Sequence, residues 1–201
     1  MIVPGGFGSR GIEGKLKAIS YARTHNIPYF GLCYGMQLAV VEFARNVVKL
    51  KNAQTTEIDP ATPAPVIDVM PEQRQKIEEK HFGDSMRLGN YDCRLLPNSR
   101  AAKAYGKRLI TERHRHRYEI NNEFVKKLSG SDWCPSGMFE EGNLVEIGEL
   151  KNHPFMIGSQ FHPEFLSRPH RPHPLFMGFI EASKKLSKLD SIRANTSEEQ
   201  E

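Results

Sequence analysis

Short apolar runs alternate with longer amphipathic segments along this chain of 201 residues. The apolar runs predict strands at residues 2–3, 27–32, 144–147 and 155–161. Apolar residues at helical spacing predict helices at residues 14–26, 35–48 and 174–186. Strands that alternate with helices favour an α/β fold, in which helices cover both faces of a sheet.

Two of these helices carry further signals. The apolar face of the first helix is formed by Leu16, Ile19, Tyr21 and Ala22. The last helix has Pro174 in its first turn, where the missing N–H and the fixed φ of proline are tolerated.

The remaining segments differ in character. Strand signals outnumber helix signals between Leu88 and Phe161, which predicts an antiparallel extension of the sheet. Residues 52–80 are polar and contain four prolines, at positions 60, 63, 65 and 71, so we expect a loop-rich insert. Residues 190–201 are rich in Ser, Glu, Asn and Gln, a composition that predicts disorder.

Composition narrows the class of protein. The chain has 28 Lys and Arg against 24 Asp and Glu, and this net charge of +4 suggests neither a nucleic-acid partner nor a membrane partner. No apolar run reaches the length of a membrane span, and the N-terminus does not resemble a signal peptide. The three cysteines show no Cys-x-x-Cys spacing, which favours a reducing, cytoplasmic location.

Cys33 lies in the segment Gly-Leu-Cys-Tyr-Gly at 31–35, between a strand signal and a helix signal. A strand that turns sharply into a helix is the nucleophile-elbow arrangement, here with sulfur in place of oxygen. Glycines on both sides relieve crowding in the turn, and the helix N-terminus favours the thiolate. Taken alone, a buried structural cysteine fits this segment almost as well.

A base for this nucleophile is predicted in the segment Gln-Phe-His-Pro-Glu-Phe at 160–165. Residues two apart in an extended chain point to the same side, so His162 and Glu164 can face one cleft. Glu164 can accept a hydrogen bond from one imidazole nitrogen, while the other nitrogen faces the thiol. Alone, the segment also fits a His-Pro turn with a solvated carboxylate; with the elbow, it predicts a Cys–His–Glu triad.

Four glycines lie within residues 5–11. The segment lacks the Lys-Ser/Thr of a P-loop and the spacing of a dinucleotide-binding motif. Its backbone can instead present N–H groups to a ligand, which favours an oxyanion hole made by the N–H groups of Gly6 and Tyr34. Loss of one such donor typically costs about 3–4 kcal/mol of transition-state stabilisation.

Together, these three segments resemble the class I (triad) glutamine amidotransferases. Further segments resemble one branch of that family, the C-terminal amidotransferase domain of CTP synthases. They are Asn-Ala-Gln-Thr-Thr-Glu at 52–57, Met-Arg-Leu-Gly at 86–89, Glu-Arg-His-Arg-His-Arg-Tyr-Glu at 112–119 and Phe-His-Pro-Glu-Phe-Leu-Ser-Arg-Pro at 161–169. The resemblance covers about residues 1–185. It implies a three-layer, flavodoxin-like α/β fold, with a central, mostly parallel sheet and helices on both faces.

The resemblance implies a role for each matching residue. Cys33, His162 and Glu164 match the triad, which releases ammonia from glutamine through a glutamyl thioester. The positions that hold glutamine match Gly6, Tyr34, Gly35, Met36, Gln37, Glu57 and Arg117. The charges agree, because Glu57 suits the α-ammonium and the Arg117 fork suits the α-carboxylate. Tyr34 replaces the Leu usual in the family, a departure that bears on the shape of the pocket.

The resemblance also implies partners. In CTP synthase, ammonia passes to a synthase domain that uses ATP and Mg²⁺ to convert UTP to CTP, in pyrimidine nucleotide biosynthesis. We therefore expect L-glutamine as substrate, no cofactor in this chain itself, and a homotetramer for the full enzyme. The family has further strands and a helix before the glycine-rich segment. We expect a partial amidotransferase domain over residues 1–188, with its first strands missing, and a disordered tail over residues 189–201.

Several alternatives remain at this point. The spacings of His114 with His116 and of His170 with His173 suggest a metal site, but no cysteine or carboxylate completes a ligand set. The basic run at 113–117 suggests RNA binding, which would also need stacking aromatic residues. A third alternative is a non-catalytic remnant or regulatory partner of CTP synthase. A different acceptor, as in GMP synthetase or a γ-glutamyl hydrolase, is disfavoured by the Arg-His-Arg-His-Arg segment.

Overall fold

A computed structural model describes residues 1–69 and 86–198, the last nine of them as backbone only. Within these residues, the helices are α1 (Ile12–Thr24), α2 (Tyr34–Asn46), α3 (Arg100–Tyr105), α4 (Asn122–Ser129) and α5 (Pro174–Glu198). The strands are β1 (Ile2–Val3), β2 (Tyr29–Leu32), β3 (Ala53–Thr55), β4 (Ala64–Val69), β5 (Arg87–Leu95), β6 (Leu109–His116), β7 (Tyr118–Ile120), β8 (Trp133–Phe139), β9 (Leu144–Leu150) and β10 (Met156–Ser159). A 3₁₀ turn spans Pro163–Phe165.

The main sheet is mixed and has the strand order β1-β2-β10-β9-β8-β5-β6. Strands β1, β2 and β10 are parallel, and every pair from β10 onwards is antiparallel. The predicted antiparallel extension is confirmed. The prediction of a mostly parallel sheet is wrong for the described residues. Short connections, such as the one between β8 and β9, can join only antiparallel neighbours.

Side-chain alternation along the central strands builds two cores, one on each face of the sheet. Tyr29 of β2 packs with residues of α1 and α2, whereas its neighbour Phe30 packs on the other face with residues of α3 and α5. In the same way, Met156 and Ile157 of β10 belong to opposite cores. Helices therefore cover both faces, as the sequence predicts, and the carboxyl ends of β2 and β10 lie side by side.

The predicted loop-rich insert contains regular structure. Strands β3 and β4 pair with each other and with β7 in a second, three-stranded sheet. The prediction was wrong here, because Val66, Ile67 and Val69 are buried against the core and Pro65 is accommodated within β4. Residues 70–80 of the predicted insert lie outside the described residues.

The helices also differ from prediction in detail. Tyr21, assigned to the apolar face of α1, is 53% exposed and stacks on His25 instead. Helix α5 runs to Glu198, well past the predicted end at Leu186, so it enters the segment for which composition predicted disorder. Residues 199–201 lie outside the described part, and the domain limit at residue 188 stays a prediction. No helix in the described residues is both long enough and apolar enough to cross a membrane.

Candidate active site

Cys33 occupies a strained turn between β2 and α2. Its backbone has φ 47° and ψ −100°, a conformation that non-glycine residues rarely adopt. A Cβ on Gly31 would lie 2.7 Å from the carbonyl carbon of Gly35, and a Cβ on Gly35 would lie 2.1 Å from the carbonyl oxygen of Val3. Glycine is therefore required on both sides of Cys33, as the nucleophile-elbow interpretation predicts.

His162 and Glu164 form a close pair. The Nδ1 atom of His162 lies 2.7 Å from Oε1 of Glu164, and the imidazole stacks on Phe165 with ring centroids 4.7 Å apart. The pairing was predicted, but its stated reason was wrong, because Glu164 lies in a 3₁₀ turn and not in extended chain. With Nδ1 directed at the carboxylate, Nε2 is the nitrogen that can exchange a proton with a neighbouring group; it is buried and has no hydrogen-bond partner within the described residues.

Gly5 lies between Cys33 and His162. A Cβ on Gly5 would lie 3.0 Å from Cε1 of His162 and 3.8 Å from Cβ of Cys33. The glycine-rich segment therefore lies against both side chains, and a larger residue at this position would push the imidazole away. The sequence analysis identified this segment for its backbone N–H groups. The structure adds a steric reason why its first residue, Gly5, is a glycine.

A cleft of about 550 Å³ opens beside these residues. It is lined by Pro4, Gly5, Gly6, Phe7, Cys33, Gln37, Glu57, Met86, Arg115, His116, Arg117, Tyr118, His162, Glu164 and Phe165. The structure thus brings together seven predicted site residues: the triad residues Cys33, His162 and Glu164, with Gly6, Gln37, Glu57 and Arg117. Their individual roles stay predictions.

Three predicted residues do not line this cleft with their side chains. Met36 is 1% exposed and packs beneath Gly158, and Gly35 is pressed against Val3. The Tyr34 hydroxyl donates a hydrogen bond to the carbonyl oxygen of Gly8, 2.5 Å away. The oxyanion role predicted for Tyr34 concerns its backbone N–H, and it stays a prediction.

Glu57 holds the glycine-rich segment from the other side. Its Oε1 accepts a hydrogen bond from the backbone N–H of Gly8 at 2.8 Å. Gly8 is therefore fixed through its carbonyl by Tyr34 and through its N–H by Glu57. This contact gives Glu57 a structural task in addition to the negative charge that it brings to the cleft.

The thiol of Cys33 is held in its neutral form. Burial raises its pKa to about 12, and the charges of Glu119, Glu164 and Glu57 act in the same direction. The backbone N–H of Tyr34 lowers the pKa but does not balance burial. The first N–H of α2 therefore favours the thiolate, as predicted, but burial outweighs its effect on the pKa of Cys33.

Most of the chain matches a known protein family. Residues 1–182 match the family described as glutamine amidotransferase class-I. The chain belongs to this family.

Two curated relatives show which branch of class-I amidotransferases the chain is similar to. It is 56% identical over 186 residues to the CTP synthase of Dehalococcoides mccartyi, covering 92% of this chain and 34% of that protein. It is also 56% identical over 189 residues to the CTP synthase of Carboxydothermus hydrogenoformans, covering 94% of this chain and 35% of that protein. The chain thus spans about a third of the length of these relatives.

A solved structure agrees with this placement. The Trypanosoma brucei CTPS glutaminase domain with bound acivicin has a TM-score of 0.85 and 38% identity, over 92% of this chain and 70% of that chain. The class I amidotransferase fold predicted from the sequence is confirmed.

This amidotransferase chain also contains a buried charge cluster that the sequence analysis missed. Nη1 of Arg87 donates to Oε1 of Glu119 at 2.9 Å and to Oε1 of Glu146 at 2.8 Å. His114 and His116 adjoin the cluster, with Nδ1 of the first 2.8 Å from Nε2 of the second. The alternation of β6 explains the Arg-His-Arg-His-Arg segment, because its histidines point inwards and the arginines at 113 and 115 are exposed.

Burial controls the protonation of this cluster. It lowers the pKa of His114 to about 3, with help from the Arg87 charge, and it lowers that of His116 well below the usual value. Burial also raises the pKa values of Glu119 and Glu146, against the opposing charge of Arg87. The metal-site alternative gains no support, because the described residues contain no group of three or more His, Cys, Asp or Glu placed to hold an ion.

A second missed residue lies at the nucleophile itself. Nε2 of Gln160 is 3.6 Å from Sγ of Cys33. Gln160 stands two positions before the predicted base, at the end of an apolar run, and its amide is the only sequence signal that marks it.

Proposed function

We propose that this chain releases ammonia from L-glutamine, with Cys33 as nucleophile and His162 as base. The observation that supports this proposal is the shared cleft. A strained cysteine at a helix N-terminus and a paired His–Glu open into it together. These three side chains are of the types that a nucleophile–base–orienter arrangement requires.

The proposed reaction begins when His162 takes the thiol proton of Cys33. The thiolate attacks the carboxamide carbon of glutamine, and the carbonyl oxygen becomes an oxyanion beside the N–H groups of Gly6 and Tyr34. The C–N bond then breaks, and the protonated His162 gives its proton to the departing nitrogen, which leaves as ammonia. Water, deprotonated by His162, cleaves the thioester to glutamate and restores the thiol.

Charges in the cleft suit the two ends of glutamine. Arg117 is half-buried at the cleft, where a planar guanidinium can bind the α-carboxylate through two parallel hydrogen bonds. Glu57 faces the same cleft and offers a negative partner for the α-ammonium. The two residues come from different parts of the chain, since Arg117 joins β6 to β7 and Glu57 follows β3.

We further propose that the ammonia serves a CTP synthase reaction, in which UTP is aminated at the expense of ATP with Mg²⁺, in a homotetrameric assembly. The support is the 56% identity to CTP synthases, of which the chain spans about a third. On this proposal, the ATP- and Mg²⁺-dependent step takes place in a synthase region of the kind that those longer relatives contain. The alternative is a catalytically inactive remnant or regulatory partner of such an enzyme.

The test is covalent labelling of the folded chain with a diazoketone analogue of glutamine, followed by peptide mass spectrometry. We expect modification at Cys33 and loss of glutaminase activity. Cys33→Ala abolishes both, whereas Cys93→Ala, which changes another buried cysteine, leaves both intact. Equal loss in the two variants would mean that the nucleophile is misassigned. Absence of labelling in the folded, unaltered chain would favour the inactive alternative.

A further inference from the structure

Gln160 stands between the nucleophile and a chain of amides. Its side chain is fully buried, with Nε2 3.6 Å from Sγ of Cys33 and Oε1 3.4 Å from Nε2 of Gln37. Nε2 of Gln37 in turn donates to the carbonyl oxygen of Tyr118 at 3.0 Å. Two glutamine side chains thus connect a backbone carbonyl of β7 to the sulfur.

The direction of these hydrogen bonds follows from the carbonyl at one end. A carbonyl oxygen can only accept, so Gln37 must present its amino group to Tyr118. The same amino group faces Gln160, which must therefore present its oxygen to Gln37 and its own amino group to Cys33. The hydrogen-bonding partners therefore determine the orientation of the Gln160 amide, with its amino group towards the sulfur and its oxygen towards Gln37.

The backbone around this network is fixed at both ends. The N–H of Gln160 donates to the carbonyl oxygen of Glu146 at 2.8 Å, and the N–H of Cys33 donates to that of Ser159 at 2.7 Å. Tyr118 lies on β7, which pairs with β4. The donor on the sulfur is therefore held by two sheets, which is what a pre-organised catalytic group requires.

We propose that the side-chain amide of Gln160 is a further catalytic group, which donates a hydrogen bond to Sγ of Cys33 and stabilises its thiolate. Gln37 and the Tyr118 carbonyl act as positioning groups for that amide. This inference rests on the proposed role of Cys33 as nucleophile.

The surroundings explain why such a donor is needed. Three carboxylates, Glu57, Glu119 and Glu164, act against a negative charge on the buried sulfur. A thiolate is a much better acceptor than a thiol, so an N–H directed at the sulfur favours the charged form. The network also assigns Gln37 a task within the protein, in addition to the contact with glutamine that the sequence resemblance implies.

The experiment measures the thiol directly. The rate of alkylation of Cys33 by iodoacetamide is followed across pH by mass spectrometry, in the full chain and in Gln160→Met. We expect alkylation at each pH to slow about tenfold, because below its pKa the thiolate fraction of Cys33 falls tenfold when that pKa rises by one unit. Gln37→Leu moves the pKa in the same direction by less. Alkylation needs neither glutamine nor turnover, so this result is independent of whether the chain hydrolyses glutamine.

The matched control is Gln54→Met, which alters another buried glutamine, whose side-chain oxygen accepts from the N–H of Thr55. An unchanged rate of Cys33 alkylation in folded Gln160→Met, or an equal slowing in Gln54→Met, overturns the proposal. If Gln160→Met does not fold, NMR of the unaltered chain decides. One side-chain amide proton of Gln160 must show a nuclear Overhauser contact with the Cys33 Hβ protons and slow exchange with solvent, and the absence of both excludes the hydrogen bond.

Discussion

The carbonyl oxygen of Val3 and the α-carbon of Gly35 are in direct contact across the first turn of α2. A Cβ placed on Gly35 would lie only 2.1 Å from that oxygen. The contact joins the edge strand β1 to the helix that begins at the nucleophile, and it lets the glycine-rich segment after Val3 reach the side of Cys33. Close packing of one glycine thus brings two separate parts of the cleft together.

Replacing Gly35 by Ala should break this contact. The backbone of β1 or α2 must move, so we expect a loss of about 3 kcal/mol or more in unfolding free energy. Denaturant unfolding followed by circular dichroism measures it. Gly14→Ala is the control, because a Cβ there meets no atom within 4 Å. That variant should gain up to about 1 kcal/mol from helix propensity. Equal stability of the two variants would contradict the close contact.

Glu164→Gln tests the orienting role of the carboxylate. The amide carries no charge to pair with a protonated imidazole, so His162 loses the partner that directs Nε2 to the cleft. We expect kcat for glutamine hydrolysis to fall by roughly 10²-fold or more, with little change in KM. Glu141→Gln, at an exposed position, is the control and should keep full activity. A larger effect on KM than on kcat would reassign Glu164 to substrate binding.

Arg117→Ala tests recognition of the substrate carboxylate. Because the guanidinium is expected to bind glutamine in both the ground state and the transition state, KM should rise by roughly 10²-fold while kcat changes little. Steady-state ammonia release measures both constants. Arg108→Ala removes an exposed arginine elsewhere and should change neither. An unchanged KM in Arg117→Ala would refute the carboxylate role.

How much of this structure the sequence predicts depends on whether the residues that form a feature lie close together in the chain. Cys33 between two glycines and His162 two residues before Glu164 are local patterns with a chemical meaning, and the structure brings both patterns to one cleft. The two-residue alternation of Arg113 to Arg117 is also visible in the sequence, where it suggests a metal site or a basic patch. Its meaning depends on which face of β6 is covered.

The missed features depend on long-range partners. Arg87 meets Glu119 and Glu146 across three strands, and no local spacing connects these positions. Strand β4 was missed for a related reason: its prolines suggested a loop, whereas burial of Ile67 and pairing with β7 stabilise a strand. Gln160 acquires its significance only because Cys33 packs against it from 127 positions away.

The buried cluster predicts a specific dependence of stability on pH. The pKa of His114 is lowered to about 3, so between that value and 6.5 the unfolded chain binds more protons than the folded one. Stability therefore rises with pH in this window. The pKa of Glu119 is raised above 4.5, so above that pH the folded chain keeps a proton that the unfolded chain has released. This term makes stability fall as pH rises until the folded carboxyl also ionises.

Glu119→Gln separates the contribution of Glu119 to the pH dependence of stability from that of His114. The variant leaves Arg87 with one carboxylate, Glu146, and removes the proton that the folded chain retains. We expect the fall in Tm between about pH 4.5 and pH 8 to flatten, while the rise in Tm with pH that is due to His114 persists. Scanning calorimetry across pH measures this, with Glu141→Gln as an exposed control. If Tm falls with rising pH as steeply in Glu119→Gln as in the unaltered chain, Glu119 is already ionised at low pH.

Tyr34→Phe tests the bond that fixes the glycine-rich segment. The variant removes the hydroxyl that donates to the Gly8 carbonyl and keeps the Tyr34 backbone N–H beside Cys33. Loss of one such bond typically costs about 1 kcal/mol, so unfolding free energy should fall by about that amount. The kcat for glutamine hydrolysis should fall about fivefold, because Gly6, the proposed oxyanion donor, is held less firmly. Alkylation of Cys33 should keep its rate, and Tyr21→Phe, at an exposed tyrosine, should change none of these quantities. A slower alkylation in Tyr34→Phe would show that the ring, and not only the backbone, acts on the thiol.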